Sequence, residues 1–101
     1  MEALQRQFEQ DLIHAAEQQR LVCGWNPVRF LQGVSKYGAV AMAKRIAAQG
    51  RPSEAVERLA QQGRLGLSFE ALIVQKQYAP LFTDQEVNAC FDTLCSYGYY
   101  G

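Results

Sequence analysis

A nucleophile or a metal site in this 101-residue chain has to be built around one histidine, His14, and three cysteines, Cys23, Cys90 and Cys95. With a single imidazole available, a metal site needs thiolates or carboxylates for its other ligands. On one helix Cys90 and Cys95 lie about 140° apart at ~100° per residue, too far round to chelate one ion. Both are read as packing residues, the common fate of free cysteine. Cys23, beside Gly24 and Trp25 in a turn sequence, is the thiol expected to be exposed. A reactive thiol there needs a base or a helix N-terminus to lower its pKa, and His14 is the one imidazole that could serve. This constellation is too sparse to assign a catalytic residue, a metal ligand or a cofactor.

Paired carboxylates fare no better. Glu9 with Asp11, and Asp84 with Glu86, are two positions apart, which on a helix turns them about 200° from each other rather than onto one reacting centre. Two-carboxylate chemistry of the glycosidase kind therefore finds no support. Gly63-Arg64-Leu65-Gly66 has glycines but no preceding strand and no following Lys-Ser/Thr, so neither a phosphate loop nor a dinucleotide fingerprint is present. A helix end and a turn account for both glycines.

Charge carries more information once it is followed along the chain. Ten basic and ten acidic residues cancel overall, but residues 1–19 hold four acids and one base, residues 20–51 six bases and no acid, and residues 77–101 three acids and no base. The basic stretch supplies Arg29, Lys36, Lys44, Arg45 and Arg51 as candidate contacts. Aromatics at predicted helix ends, Trp25, Tyr99 and Tyr100 among them, join that set, since Arg and aromatic side chains dominate interface hot spots. Trp25 and Phe30 could equally finish the core. Nucleic acid is the alternative partner, with the same cations on phosphates and residues 54–75 read as helix-turn-helix. Against it stand the zero net charge, the long Gly63–Leu67 turn, the core-like Leu72, Ile73 and Val74 of the would-be recognition helix, and Glu70, which would face phosphates.

The elements that must position these residues are helical. Leu4, Phe8, Leu12 and Ile13 give residues 1–22 an amphipathic pattern over strong helix formers. Asn26-Pro27 has the form of an N-cap and first helical position, and Val28, Phe30, Leu31 and Val34 form the apolar side of helix two. Ala39 to Gln49 predicts an Ala-rich third helix ending at Gly50, its small residues suited to a core or to a dimer. Ser53 is expected to cap helix four, with Glu54 and Glu57 in its first turn and Val56, Leu59 and Ala60 buried. Ser68 caps helix five, whose apolar run Phe69 to Val74 predicts the most enclosed element, with a short strand as the alternative. Tyr78 to Phe82 reads as a connector, and Thr83 with Glu86 is a capping box opening helix six. The twelve glutamines are scattered and read as solvated surface.

Tyr37-Gly38-Ala39 with Ala43-Lys44-Arg45, Gly63 to Ser68 with Glu70-Ala71-Leu72, and Leu81-Phe82-Thr83 with Glu86 together resemble a small helical module found at the ends of many uncharacterised bacterial proteins. The resemblance covers roughly residues 26–98. It departs from the usual form at Gly66, where that module has Asp, and at Val56 to Ala60, where it has an aromatic-containing segment. The resemblance implies a helical fold and a bacterial or phage source, and it supplies no catalytic residues.

The sequence thus predicts one domain over residues 1–101, an all-α compact bundle of about six short helices. A chain of this length buries roughly 60–68% of its unfolded surface, enough for one core without staples. An odd cysteine count, no leader-like apolar run and no membrane-span-length apolar window predict a cytoplasmic protein that does not enter membranes. The function expected is non-enzymatic: binding a protein partner, as a bacterial or phage regulator or inhibitor of a host system. The basic 20–51 region is the predicted contact; an inhibitor of a nucleic-acid-guided complex would use the acidic first and last helices instead.

Overall fold

Spacing in the first helix sets the frame. In the computed structural model, which describes residues 2–99, Glu2–Cys23 form helix α1, and Phe8, Leu12, Ala16 and Gln19 fall on its one fully buried face. Val28–Tyr37 form α2, Ala39–Ala48 α3, Val56–Gln61 α4, Phe69–Ile73 α5 and Asp84–Ser96 α6, with single 3-10 segments at Leu65–Leu67 and Lys76–Leu81. The described residues contain no strand. The chain is an all-α bundle, and the strand alternative for residues 69–74 is not taken.

Helix α3 is the hub, packing against α1, α2, α5 and α6. Ala39, Ala43 and Ala47 form its buried stripe, so its small residues serve the core of this chain by letting the neighbours come close. The α2–α3 contact is tight at Gly33 of α2, where an added Cβ would stand 2.6 Å from Met42 Cε. A single residue, Gly38, separates α2 from α3, and its φ of 94° explains why the link needs glycine. Its N–H donates to the Val34 carbonyl (2.9 Å), closing the end of α2.

Helix α5 has five residues, too few to persist alone, and all five are buried. Its stability comes from packing: Phe69, Leu72 and Ile73 join Phe8, Leu12, Val34 and Ala43 in the main cluster, while Ala71 faces a second one with Val56, Leu59, Leu65 and Leu94. Two predicted caps are present. Ser68 Oγ accepts from Ala71 N (3.1 Å), and Thr83 and Glu86 exchange both bonds of a capping box, at 2.8 and 3.1 Å. Asn26 Oδ1 accepts from Val28 N (3.1 Å) at the start of α2.

Four local expectations are corrected. Helix α4 starts at Val56 rather than after Ser53, because the Ser53 hydroxyl is committed elsewhere. Tyr78, read as part of a connector, is fully buried in a 3-10 turn, edge-on to Phe8 with ring centroids 4.9 Å apart. Its hydroxyl donates to Asp11 of α1. Gln19 is buried rather than solvated, and its amide donates to the Leu67 carbonyl (2.9 Å), tying α1 to the first 3-10 turn. Cys95 is exposed, whereas Cys90 packs in the core as expected.

Candidate functional site

The polar residues read from the sequence are sorted by what the fold does with them. His14 and Cys23 both lie on α1, nine positions apart. That separates them by about 13 Å along the axis and half a turn around it, so they form no dyad. Cys23 is partly buried, and burial raises its thiol pKa despite the lowering effect of Arg58; a raised pKa is the reverse of what activates a nucleophile. Burial, reinforced by the negative charges of Glu70 and Glu86, holds Cys90 at about 12. Among the described residues no three of His, Cys, Asp and Glu are grouped so as to hold a metal ion.

The basic stretch divides. Lys44 turns inward, its Nζ 2.9 Å from Glu86 Oε1 and 5.6 Å from the Phe82 ring centroid. Its charge is met by the acidic last helix. For Glu86, burial raises the carboxyl pKa, but hydrogen bonds from Lys44 and Thr83 outweigh it and the pKa ends below the usual value. Lys36 lies over the ring of its neighbour Tyr37 (5.3 Å) and stands outside the groove described next. Tyr99 follows α6 with its hydroxyl over Gly66, also outside that groove. Tyr100 lies outside the described residues.

The remaining four, Trp25, Arg29, Arg45 and Arg51, line one open groove of about 890 Å³ between the α1–α2 turn, α2, α3 and the loop after α3. Its apolar lining comes from Val28, Phe30, Met42, Ile46 and Phe69. The aromatic part is pre-ordered: Phe30 stacks on Phe69 at 4.4 Å between centroids, and Trp25 meets Phe69 edge-on at 5.8 Å. Such pairs contribute about 0.5–1.5 kcal/mol each beyond area burial, enough to keep Trp25 and Phe30 from collapsing into the groove. Trp25 and Phe30 thus pack against the core through Phe69 while staying partly exposed along the groove.

The three arginines are exposed. The Arg45 guanidinium lies 4.8 Å from the centroid of the Tyr37 ring that Lys36 also covers, a ring outside the groove lining, so Arg29 and Arg51 are the arginines left free of such a contact. Among the described residues no carboxylate forms an ion pair with Arg29, Arg45 or Arg51. One acid shares the groove, Glu54, whose carboxylate accepts the indole N–H of Trp25.

What holds this wall in place was not legible as a motif. Glu70 of α5 is 2% exposed, and its carboxylate accepts from both Ser53 N and Ser53 Oγ, each at 2.7 Å. Gln49 Nε2 adds bonds to the carbonyls of Arg51 (3.0 Å) and Pro52 (3.3 Å). The buried carboxylate therefore anchors the loop that carries Arg51 and Glu54. Glu70 faces Ser53 within the protein, and the would-be recognition helix, Phe69–Ile73, is buried along its length.

Two smaller clefts lack this combination. The one between α3 and α6, about 320 Å³, has Arg51 as its single basic residue beside Glu70 and Asp92; that between α1 and the α2–α3 junction, about 390 Å³, joins Arg6 to Glu2 and Glu9. No helix among the described residues is long and apolar enough to cross a membrane. No protein-family model matches the chain, and no curated protein or solved structure does either, so the groove's chemistry rests on its own residues.

Proposed function

We propose that this chain is a non-catalytic protein-binding module whose contact surface is the Trp25–Arg29–Arg45–Arg51 groove. The observation carrying this reading is that exposed arginines without an ion-pair partner, Arg29 and Arg51, line a concave surface together with aromatic and aliphatic side chains. Such a surface combines the residue types that dominate hot spots with a concave, partly apolar lining. Nucleic acid is the weaker reading because Lys44, which a phosphate-binding face would use, is paired with Glu86 within the fold, and the buried helix α5 presents no face to a groove of DNA.

The test is retention from a nuclease-treated lysate by wild type and by the R29E/R51E variant, followed by repurification of the retained polypeptide and amide-shift mapping on the chain. The reading expects a polypeptide that survives nuclease, is lost by the variant, and shifts the amides of the α1–α2 turn and residues 45–54. Loss of all partners on nuclease treatment, or equal retention by the variant, overturns it.

A further inference from the structure

Glu54 gives the groove a chemical signature. It is the acid among lining residues that include three arginines, and its carboxylate takes the one indole N–H available there. The residue is exposed and belongs to a loop anchored from behind by Glu70. Its carboxylate is therefore an anion on an exposed side chain, held against the indole of the groove.

We propose that the groove's occupant is an acidic peptide segment with an aromatic or large aliphatic side chain, and that Glu54 is an intramolecular stand-in for its carboxylate. The inference rests on the protein-binding reading above and deepens it. On binding, the apolar side chain packs against Phe30, Met42 and Ile46. The flanking carboxylates meet Arg29 and Arg51, where bidentate pairing is available, and one of them takes over the Trp25 N–H as Glu54 swings to solvent. No bond is made or broken beyond these hydrogen bonds and ion pairs. Glu54 thereby sets a threshold: it lowers affinity for any acidic segment and disfavours those without a second carboxylate to compensate.

The experiment titrates wild type and E54Q with a synthetic peptide in which one phenylalanine is flanked on each side by glutamates, and with the same peptide carrying lysines instead. Trp25 is the chain's one tryptophan, so its emission reports the groove directly. The glutamate peptide should bind and change that emission. E54Q keeps an acceptor for the indole but removes the competing charge, so it should bind the peptide about twofold to fivefold tighter, the effect of deleting one exposed like charge. The lysine peptide should not bind wild type. Binding of the lysine peptide in preference, weaker binding of the glutamate peptide by E54Q, or failure of the glutamate peptide to bind at all overturns the proposal. In any of these cases a nuclease-resistant, groove-dependent protein partner leaves the protein-binding reading standing. A single-stranded DNA oligomer that displaces the glutamate peptide and binds more tightly overturns both.

Discussion

Removing the Ser53 hydroxyl tests whether the buried Glu70 carboxylate holds the groove wall. The carboxylate receives two bonds from Ser53, each 2.7 Å long, at a site 2% exposed. S53A deletes the one from Oγ and leaves the one from the main chain. A hydrogen bond to a charged group contributes about 1.5–3 kcal/mol net, and water has little access to replace it, so a loss of about 2 kcal/mol is expected. With a urea m-value of about 1–3 kcal/mol/M, the denaturation midpoint should fall by roughly 1 M. The thermal midpoint should fall by about 10 °C, given 4–8 °C per kcal/mol for a domain of this size. E70Q should cost far less, because an amide can accept from Ser53 N and donate to Ser53 Oγ without a buried charge. In the E70Q background S53A should then remove only a neutral bond, leaving a coupling of about 1 kcal/mol in the double-mutant cycle. The assay is urea unfolding of the four proteins under one condition. A cost for S53A below about 0.5 kcal/mol with no coupling would refute the claim that this contact anchors the loop.

Three further outcomes follow from the same structure. Burial and the bond to Asp11 hold the Tyr78 phenol at about 12; stability is fully present below the ordinary value of 10 and is lost as pH rises from 10 towards 12. Y78F should remove that alkaline loss, at a cost of about 1 kcal/mol near neutrality, read by denaturation across the pH range; an unchanged alkaline profile would contradict the assignment. The lowered Glu86 carboxyl contributes stability above the ordinary value of 4.5 that is lost as pH falls through its lower folded value. K44M should blunt this acid loss, and an identical acid profile in K44M would count against the ion pair. In G33A the new Cβ presses on the flexible end of Met42, a side chain lining the groove. The helix-propensity gain of about 1 kcal/mol should offset the repacking, leaving stability near wild type while Trp25 emission changes; a loss above about 2 kcal/mol would show that Met42 cannot yield.

Local signals in the sequence translated well because the physics behind them is local. Phe8, Leu12 and Ala16 share a face at any helical pitch, and Ser68, Thr83 and Glu86 satisfy amides within three residues of themselves. Helix α5 was legible as the enclosed element because an apolar run has nowhere else to go. Three of the four misreadings concern partners distant in sequence; the fourth, Cys95, is simply turned to solvent on α6. Ser53 looks like a cap until a carboxylate seventeen positions on claims its hydroxyl; Tyr78 looks like a connector until Asp11, sixty-seven positions back, accepts its proton donor. Gln19 has no signal that separates it from the other glutamines, since only the bare Leu67 carbonyl at the packed turn explains its burial.

The same distinction governs the site. A block of bases in residues 20–51 announced a basic region but not its shape. Folding turned Lys44 onto Glu86 and gathered Trp25, Arg29, Arg45 and Arg51 around a common groove. Glu54 was legible only as a first-turn acid, and its role as the groove's internal anion depends on the indole twenty-nine positions before it.

The central claim is that unpaired guanidiniums in this groove bind the carboxylates of a protein segment. It is tested most directly by the dissociation constant of the glutamate-flanked phenylalanine peptide for wild type and for R29E/R51E, both read from Trp25 emission. Reversing the two charges should weaken binding by about tenfold or more, since each reversal removes one attraction and adds one repulsion, with no change in unfolding midpoint. Equal affinity in the two proteins would contradict it.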